Sequence, residues 1–113
     1  MIIDRLYKTL IETLKLVAAP ADVQLASLPG YSKAGEEITL GFSDAYISVP
    51  QLMVHNRVSE EAGSLLDVLD KQFELIMADE KLWDNEQLIK AAVWKTTRET
   101  ALNILSVMNE QYQ

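Results

Sequence analysis

Apolar residues recur at three- and four-residue spacing over three long stretches of the chain. In residues 2–17, Ile3, Leu6, Tyr7, Leu10, Leu14 and Val17 fall on one side, while Arg5, Lys8, Glu12 and Lys15 lie largely elsewhere. That period predicts an amphipathic helix. Asp4 stands in its first turn, where a carboxylate favours the positive end of the helix dipole. Pro20 stops the helix, and Ala19 before it is biased away from helical geometry. The second stretch, 59–77, is the best helix in the chain. Ser59 is a good N-cap, Glu60 and Glu61 follow in the first turn, and Ala62, Leu65, Leu66, Leu69, Phe73, Ile76 and Met77 form one stripe. Gly63 weakens its first turns by roughly 1 kcal/mol relative to alanine, and its small size favours close helix approach. After a connector over 78–84, Asp84 starts a third helix, 85–110, with Gln87 three residues on. Its expected buried face is Ile89, Val93, Thr97, Ala101, Ile104, Leu105 and Met108.

The segments between are less regular. Pro20, Pro29, Gly30 and Gly35 break up residues 20–35, leaving room for a short extended piece around Val23, Leu25 and Leu28. From 36 to 42 the pattern alternates, with Ile38, Leu40 and Phe42 on one side and Glu37, Thr39 and Gly41 on the other. Alternation predicts a short strand that must lean on the helices. Tyr46, Ile47, Val49, Leu52 and Met53 then suggest a helical piece over 44–56, capped by Ser43 or Asp44 and ended by Asn56 and Arg57. Pro50 conflicts with a continuous helix there. It fits a second start at Ser48, with Gln51 completing a Ser-x-x-Gln box, so a kinked or split helix is expected. The expected fold is mostly α: a small helical domain of three main helices, a kinked extra helix and a short β element.

Length and composition narrow this further. A chain of 113 residues with 49% hydrophobic residues supports one domain over 1–113 with one core. It has no cysteine, which fits a reducing compartment. The start, MIIDRLYK, carries Asp4 and no long apolar run, unlike a signal peptide, and nothing approaches the roughly 18 apolar residues of a membrane span. A pI near 4.6 argues against nucleic acid and against anionic membrane surfaces as direct ligands. A basic protein partner stays open.

The charge is not spread evenly. Residues 59–86 hold nine acids and two bases, a net of −7, which is the net charge of the whole chain. Residues 1–58 sum to −1 and residues 87–113 to +1. On a helix wheel Asp67, Asp70 and Glu74 fall at i, i+3 and i+7, with Glu60 near the same line, bordering the apolar stripe. Lys71 can pair with Asp67; the other acids have no helical counter-ion. Such a face either keeps the protein dissolved or steers a basic partner onto it. Trp83, Trp94 and Tyr31 are candidate interface anchors, although a tryptophan in a domain of this size is more often core. Trp94 and Arg98 lie one turn apart and can stack. Trp83, among Glu80, Lys81 and Asp84, is the expected exposed one.

Signals for chemistry are thin. His55 is the only histidine, no Gly-x-Ser-x-Gly elbow exists, and Gly30, Gly35, Gly41 and Gly63 lack the spacing of a phosphate loop. No calcium loop and no His-Glu pair of a zinc site occurs. Acid pairs such as Glu36/Glu37 and Asp79/Glu80 are common on surfaces and do not define acid–base chemistry without a cleft. No catalytic, metal or cofactor site is expected.

One layout stands out. A Val-Gln-Leu-x-x-Leu-Pro stretch (23–29) is followed by Glu-Glu-Ile-x-Leu-x-Phe-x-Asp-Ala (36–45), a Leu-Asp-rich helix, and a last helix with Trp94 and Arg98 in Trp-x-x-x-Arg. This resembles small bacterial immunity proteins of polymorphic toxins, including those of contact-dependent growth inhibition. The resemblance implies a cytoplasmic, non-enzymatic protein that binds the C-terminal toxin domain delivered by a sibling cell, often a nuclease with a basic cleft. It supplies no binding residues. Those come from charge: Glu60, Asp67, Asp70, Glu74, Asp79, Glu80 and Asp84, with Trp83 as an anchor. Two other readings stay open. In one, the same helix packs in a homodimeric or adaptor role; in the other, clustered carboxylates serve a small enzyme or metal protein.

Overall fold

The computed structural model describes residues 2–111. Among these described residues seven α-helices follow one another in chain order: α1 (Ile2–Ala18), α2 (Ala21–Ser27), α3 (Ala34–Tyr46), α4 (Val49–Val54), α5 (Glu60–Met77), α6 (Asn85–Lys90) and α7 (Ala92–Val107). A single 3-10 turn, Glu80–Leu82, lies between α5 and α6. The four long helices pack in a ring, α1 against α7, α7 against α5, α5 against α3 and α3 against α1. Each turns its apolar stripe inward. Leu10, Leu14 and Val17 from α1 meet Ile38 and Phe42 from α3, Leu66, Leu69, Phe73 and Ile76 from α5, and Trp94, Ala101, Ile104 and Leu105 from α7. At the centre Phe73 packs against Phe42 at 5.0 Å between ring centroids and meets Trp94 edge-on at 6.0 Å. Burying one such aromatic side chain stabilises the fold by about 1.5–3 kcal/mol.

The expected strand is a helix. Residues 36–42 lie within α3, and no strand occurs among the described residues. The buried positions of α3 include Ala34, Ile38, Phe42 and Ala45, a three- and four-residue period, whereas Leu40 is 44% exposed. Counting Leu40 with Ile38 and Phe42 turned a helical period into an alternation. A window of seven residues does not separate the two when every second residue is apolar. The extended piece around Val23 and Leu25 is likewise helical, as α2. Gln24 in α2 is fully buried, and its amide nitrogen donates to the carbonyls of Leu16 and Val17, each at 3.0 Å. Those are among the last carbonyls of α1, which have no partner within their own helix. Arg98 of α7 closes the junction, donating to Gln24 Oε1 at 3.3 Å and to the Leu88 carbonyl at 3.1 Å.

The split near Pro50 is present. α3 ends at Tyr46, and α4 restarts at Val49 with Pro50 in its first turn. Pro50 fits there because the missing N–H is one the helix start would leave unpaired. Ser48 occupies the cap position in helical geometry, and its side chain makes no capping bond, so the Ser-x-x-Gln box does not form. Asn56 ends the segment in the left-handed region, φ 59°, with Arg57 N donating to Leu52 O at 2.8 Å and Asn56 N to Met53 O at 3.0 Å. Asn109 repeats this after α7, φ 58°, with Glu110 N bonded to Leu105 O. Both are Schellman ends that satisfy otherwise orphaned carbonyls.

The last helix is two. Ala91 adopts extended geometry, φ −70° and ψ 135°, between α6 and α7. Neither proline nor glycine marks the break in Ile-Lys-Ala-Ala-Val-Trp. With α6 turned, Leu88 enters the core, while Ile89, expected there, is 55% exposed. Distant partners hold the short helix. Asn85 accepts from Ala34 N at 3.0 Å and donates to the Tyr31 carbonyl at 2.8 Å, fixing the start of α3 from across the molecule.

Candidate functional site

The α5 start forms as its sequence dictates: Ser59 caps it, its hydroxyl accepting from Ala62 N at 3.1 Å. From there α5 sets a continuous strip against α3 and α4. Glu60, Gly63, Ser64 and Asp67 line a groove of about 720 Å³ whose other wall is Tyr46, Ile47, Val49, Pro50 and Met53. Further along, Asp70, Phe73, Glu74 and Met77 face Thr39 and Ser43 of α3 across a smaller cleft of about 90 Å³. The period of these α5 residues is that of one helix face. Gly63 forms part of the floor. A Cβ there would sit 3.0 Å from Met53 Sδ and 3.1 Å from its Cε, so the missing side chain lets α4 approach.

Charge on these helices is mostly negative. α3, α4 and α5 carry Glu36, Glu37, Asp44, Glu60, Glu61, Asp67, Asp70 and Glu74 against one base, Lys71. Among the described residues no ion pair reaches Glu60, Asp67, Asp70 or Glu74, and the pairing of Lys71 with Asp67 does not form. Asp67 instead accepts a hydrogen bond from the Tyr46 hydroxyl. That bond, followed by burial and by the charges of Asp67, Asp70 and Glu74, pushes the Tyr46 phenol up to about 12. Burial raises the Asp70 carboxyl above the usual range, and Glu74 and then Asp67 add to the effect. Repulsion among these three acids is what an excess of unneutralised carboxylates produces.

The eight predicted site residues divide into two groups. Glu60, Asp67, Asp70 and Glu74 share the strip described above. Asp79, Glu80, Trp83 and Asp84 lie beyond the end of α5 and have local structural work. Asp79 accepts from Lys81 N at 3.1 Å and Asp84 from Gln87 N at 2.8 Å, each starting the next helical turn. Glu80 stands 3.9 Å from Lys33. Trp83, expected exposed, is half-buried. Its indole donates to the Ile76 carbonyl at 2.9 Å, its own carbonyl accepts from Gly35 N at 3.1 Å, and Lys33 Nζ lies 5.8 Å from the ring. Trp94 is core, donating to the Leu82 carbonyl at 2.8 Å, and Arg98 turns to Gln24 and Leu88.

The apolar wall was not foreseen as part of a site. Ile47, 77% exposed, stands between α3 and α4 because the chain breaks there, and the pointer to that break was Pro50. His55 is exposed, and no three His, Asp or Glu side chains among the described residues converge as a metal site would. No described helix is long and apolar enough to cross a membrane. Comparison with protein-family models finds no match, and neither does comparison with curated proteins or with solved structures.

Proposed function

We propose that this chain is a cytoplasmic, non-enzymatic binding protein that neutralises a basic protein partner with the α3–α5 acidic face. The reading fits an immunity protein that covers the active site of a contact-dependent growth inhibition toxin domain, such as a nuclease. The observation that carries it is the strip of four carboxylates, Glu60, Asp67, Asp70 and Glu74, running beside an apolar groove with no base among the described residues paired to any of them. Unpaired like charges at helical spacing cost a few tenths of a kcal/mol per pair in the free protein. A basic partner converts that cost into attraction and faster encounter. Asp79, Glu80 and Asp84 add to the long-range field while capping or pairing locally. They steer, and the α5 strip docks.

The test is genetic and direct. The C-terminal domain of a large secreted protein encoded directly upstream, produced alone in a bacterium, stops growth, and co-expression of this chain restores it. The D70K/E74K double variant restores growth poorly although it accumulates normally. Absence of such an upstream gene, or full protection by the double variant, overturns the proposal.

A further inference from the structure

The groove between α4 and α5 has a shape and chemistry more specific than a charged face. Its apolar lining is Ile47, Val49, Pro50 and Met53, joined by Tyr46, which is bonded to Asp67 on the opposite wall. The carboxylates on its α5 rim, Glu60 and Asp67, stand seven residues apart, or about 10 Å along the helix axis at 1.5 Å per residue. α4 carries no charge at all, so neither wall supplies a base. Resting on the function proposed above, we propose that this groove receives one apolar side chain from a basic amphipathic helix of the partner, with a Lys or Arg about one turn to either side meeting Glu60 and Asp67.

The spacing is what selects a helix. Bases at i−4 and i+3 around a central leucine or phenylalanine are themselves seven residues apart, the same interval as Glu60 and Asp67. A helix laid along α5 therefore places its two bases on the two acids while its apolar residue enters between them. Amphipathic helices commonly bind apolar grooves through such anchors. A second copy of this chain is a poor occupant, because pairing this face with itself opposes Glu60, Asp67, Asp70 and Glu74 to their own copies. A nucleic acid is excluded by the same sign of charge.

Three synthetic alanine-rich helical peptides form the probe set: one with a leucine flanked by lysines at i−4 and i+3, one with that leucine replaced by serine, and one with the lysines replaced by glutamates. Amide shifts of the protein are followed during titration up to millimolar peptide, at low and high salt. The lysine–leucine peptide perturbs residues 46–53 and 60–67, weakens with salt, and binds at least about tenfold more tightly than the serine peptide; the glutamate peptide does not bind. Ser64→Trp, which fills the groove, and Ile47→Ser, which strips its rim, each weaken the lysine–leucine peptide several-fold without lowering Tm appreciably. Equal binding of the leucine and serine peptides, wild-type affinity of both variants, no perturbation at all, or self-association through this face in sedimentation overturns the groove assignment. The two proposals separate cleanly. If the serine peptide binds as well as the leucine peptide and D70K/E74K weakens both, the acidic-face reading stands without the groove. If neither salt nor D70K/E74K changes binding, both fall.

Discussion

The Tyr46 hydroxyl donates to the Asp67 carboxylate, joining the last turn of α3 to the middle of α5. Both residues line the apolar groove, so this one bond ties its two walls together and fixes one of its acids. Among the described residues it also makes Asp67 the only one of the four strip acids with a side-chain partner on another element. Groove and acidic strip are thus one structural unit, assembled where α3 gives way to α4.

Tyr46 and Tyr7 make stability fall in alkali. Tyr7 is pushed up to about 12 mainly by burial, helped by its hydrogen bond to Glu110 at 2.7 Å, and Tyr46 rises to about 12 mainly through the bond to Asp67. A phenol raised from its ordinary value of 10.0 favours the protonated form in the folded state. Its contribution is therefore complete below pH 10.0 and is lost as pH rises towards about 12. Urea unfolding across that range should show a decline that Tyr46→Phe and Tyr7→Phe each reduce, and spectrophotometric titration should show each variant missing one late-ionising tyrosine. A Tyr46→Phe profile identical to wild type through the whole range would mean that the Tyr46–Asp67 bond is not made in solution.

Two glycines of α3 should respond in opposite directions. A Cβ on Gly35 would lie 2.7 Å from Trp94 Cζ2 and 2.9 Å from the Trp83 carbonyl, so Gly35→Ala must displace a core indole or a backbone segment. The expected loss is about 1–3 kcal/mol. Gly41 is exposed, sits within the same helix and has nothing within 4 Å of its ideal Cβ. Gly41→Ala should therefore gain about 0.5–1 kcal/mol by restricting the unfolded chain. Chemical denaturation of the pair checks both signs. A neutral Gly35→Ala would show that α3 does not sit this close to Trp94.

Asp70 should be a stability liability at neutral pH. Its carboxyl is raised above 3.8 by burial and by Glu74 and Asp67, so the fold prefers it protonated. That preference contributes fully below pH 3.8 and disappears as pH rises through the elevated value. Asp70→Asn should unfold at higher denaturant than wild type at pH 7, with the difference shrinking towards pH 3. Stability gained here at the expense of binding is what a functional acid in a repulsive cluster predicts.

How much of this was readable in advance depends on how local the information is. α1 and α5 were legible because each has a long apolar period and its own start signal, Asp4 in one and Ser59 with Glu60 and Glu61 in the other. The split at Pro50 was legible because a proline has only a few places in a helix. The identity of α3 was not, since Ile38, Leu40 and Phe42 satisfy a strand pattern until burial shows that Leu40 faces out. The break at Ala91 left no local mark. It is set at a distance, by Asn85 bonding to Tyr31 and Ala34 and by Arg98 reaching the Leu88 carbonyl. For the candidate site, periodicity placed Glu60, Asp67, Asp70 and Glu74 on one strip. The helix start at Asp84 was legible from Gln87 three residues on, but periodicity could not show that Asp79 is a cap, that Trp83 is turned inward, or that Ile47 and Met53 wall a groove, because those facts belong to how α4 and the segment after α5 fold back.

The central claim is that the α5 carboxylates bring a basic partner onto this face. Stopped-flow association with the toxin domain proposed above as partner, measured against ionic strength, tests it most directly. The wild-type rate should fall steeply with salt, while D70K/E74K should associate at least about tenfold more slowly at low salt, with a flatter salt dependence and a Tm no lower than that of wild type. Equal rates with equal salt dependence for the two proteins would contradict the account.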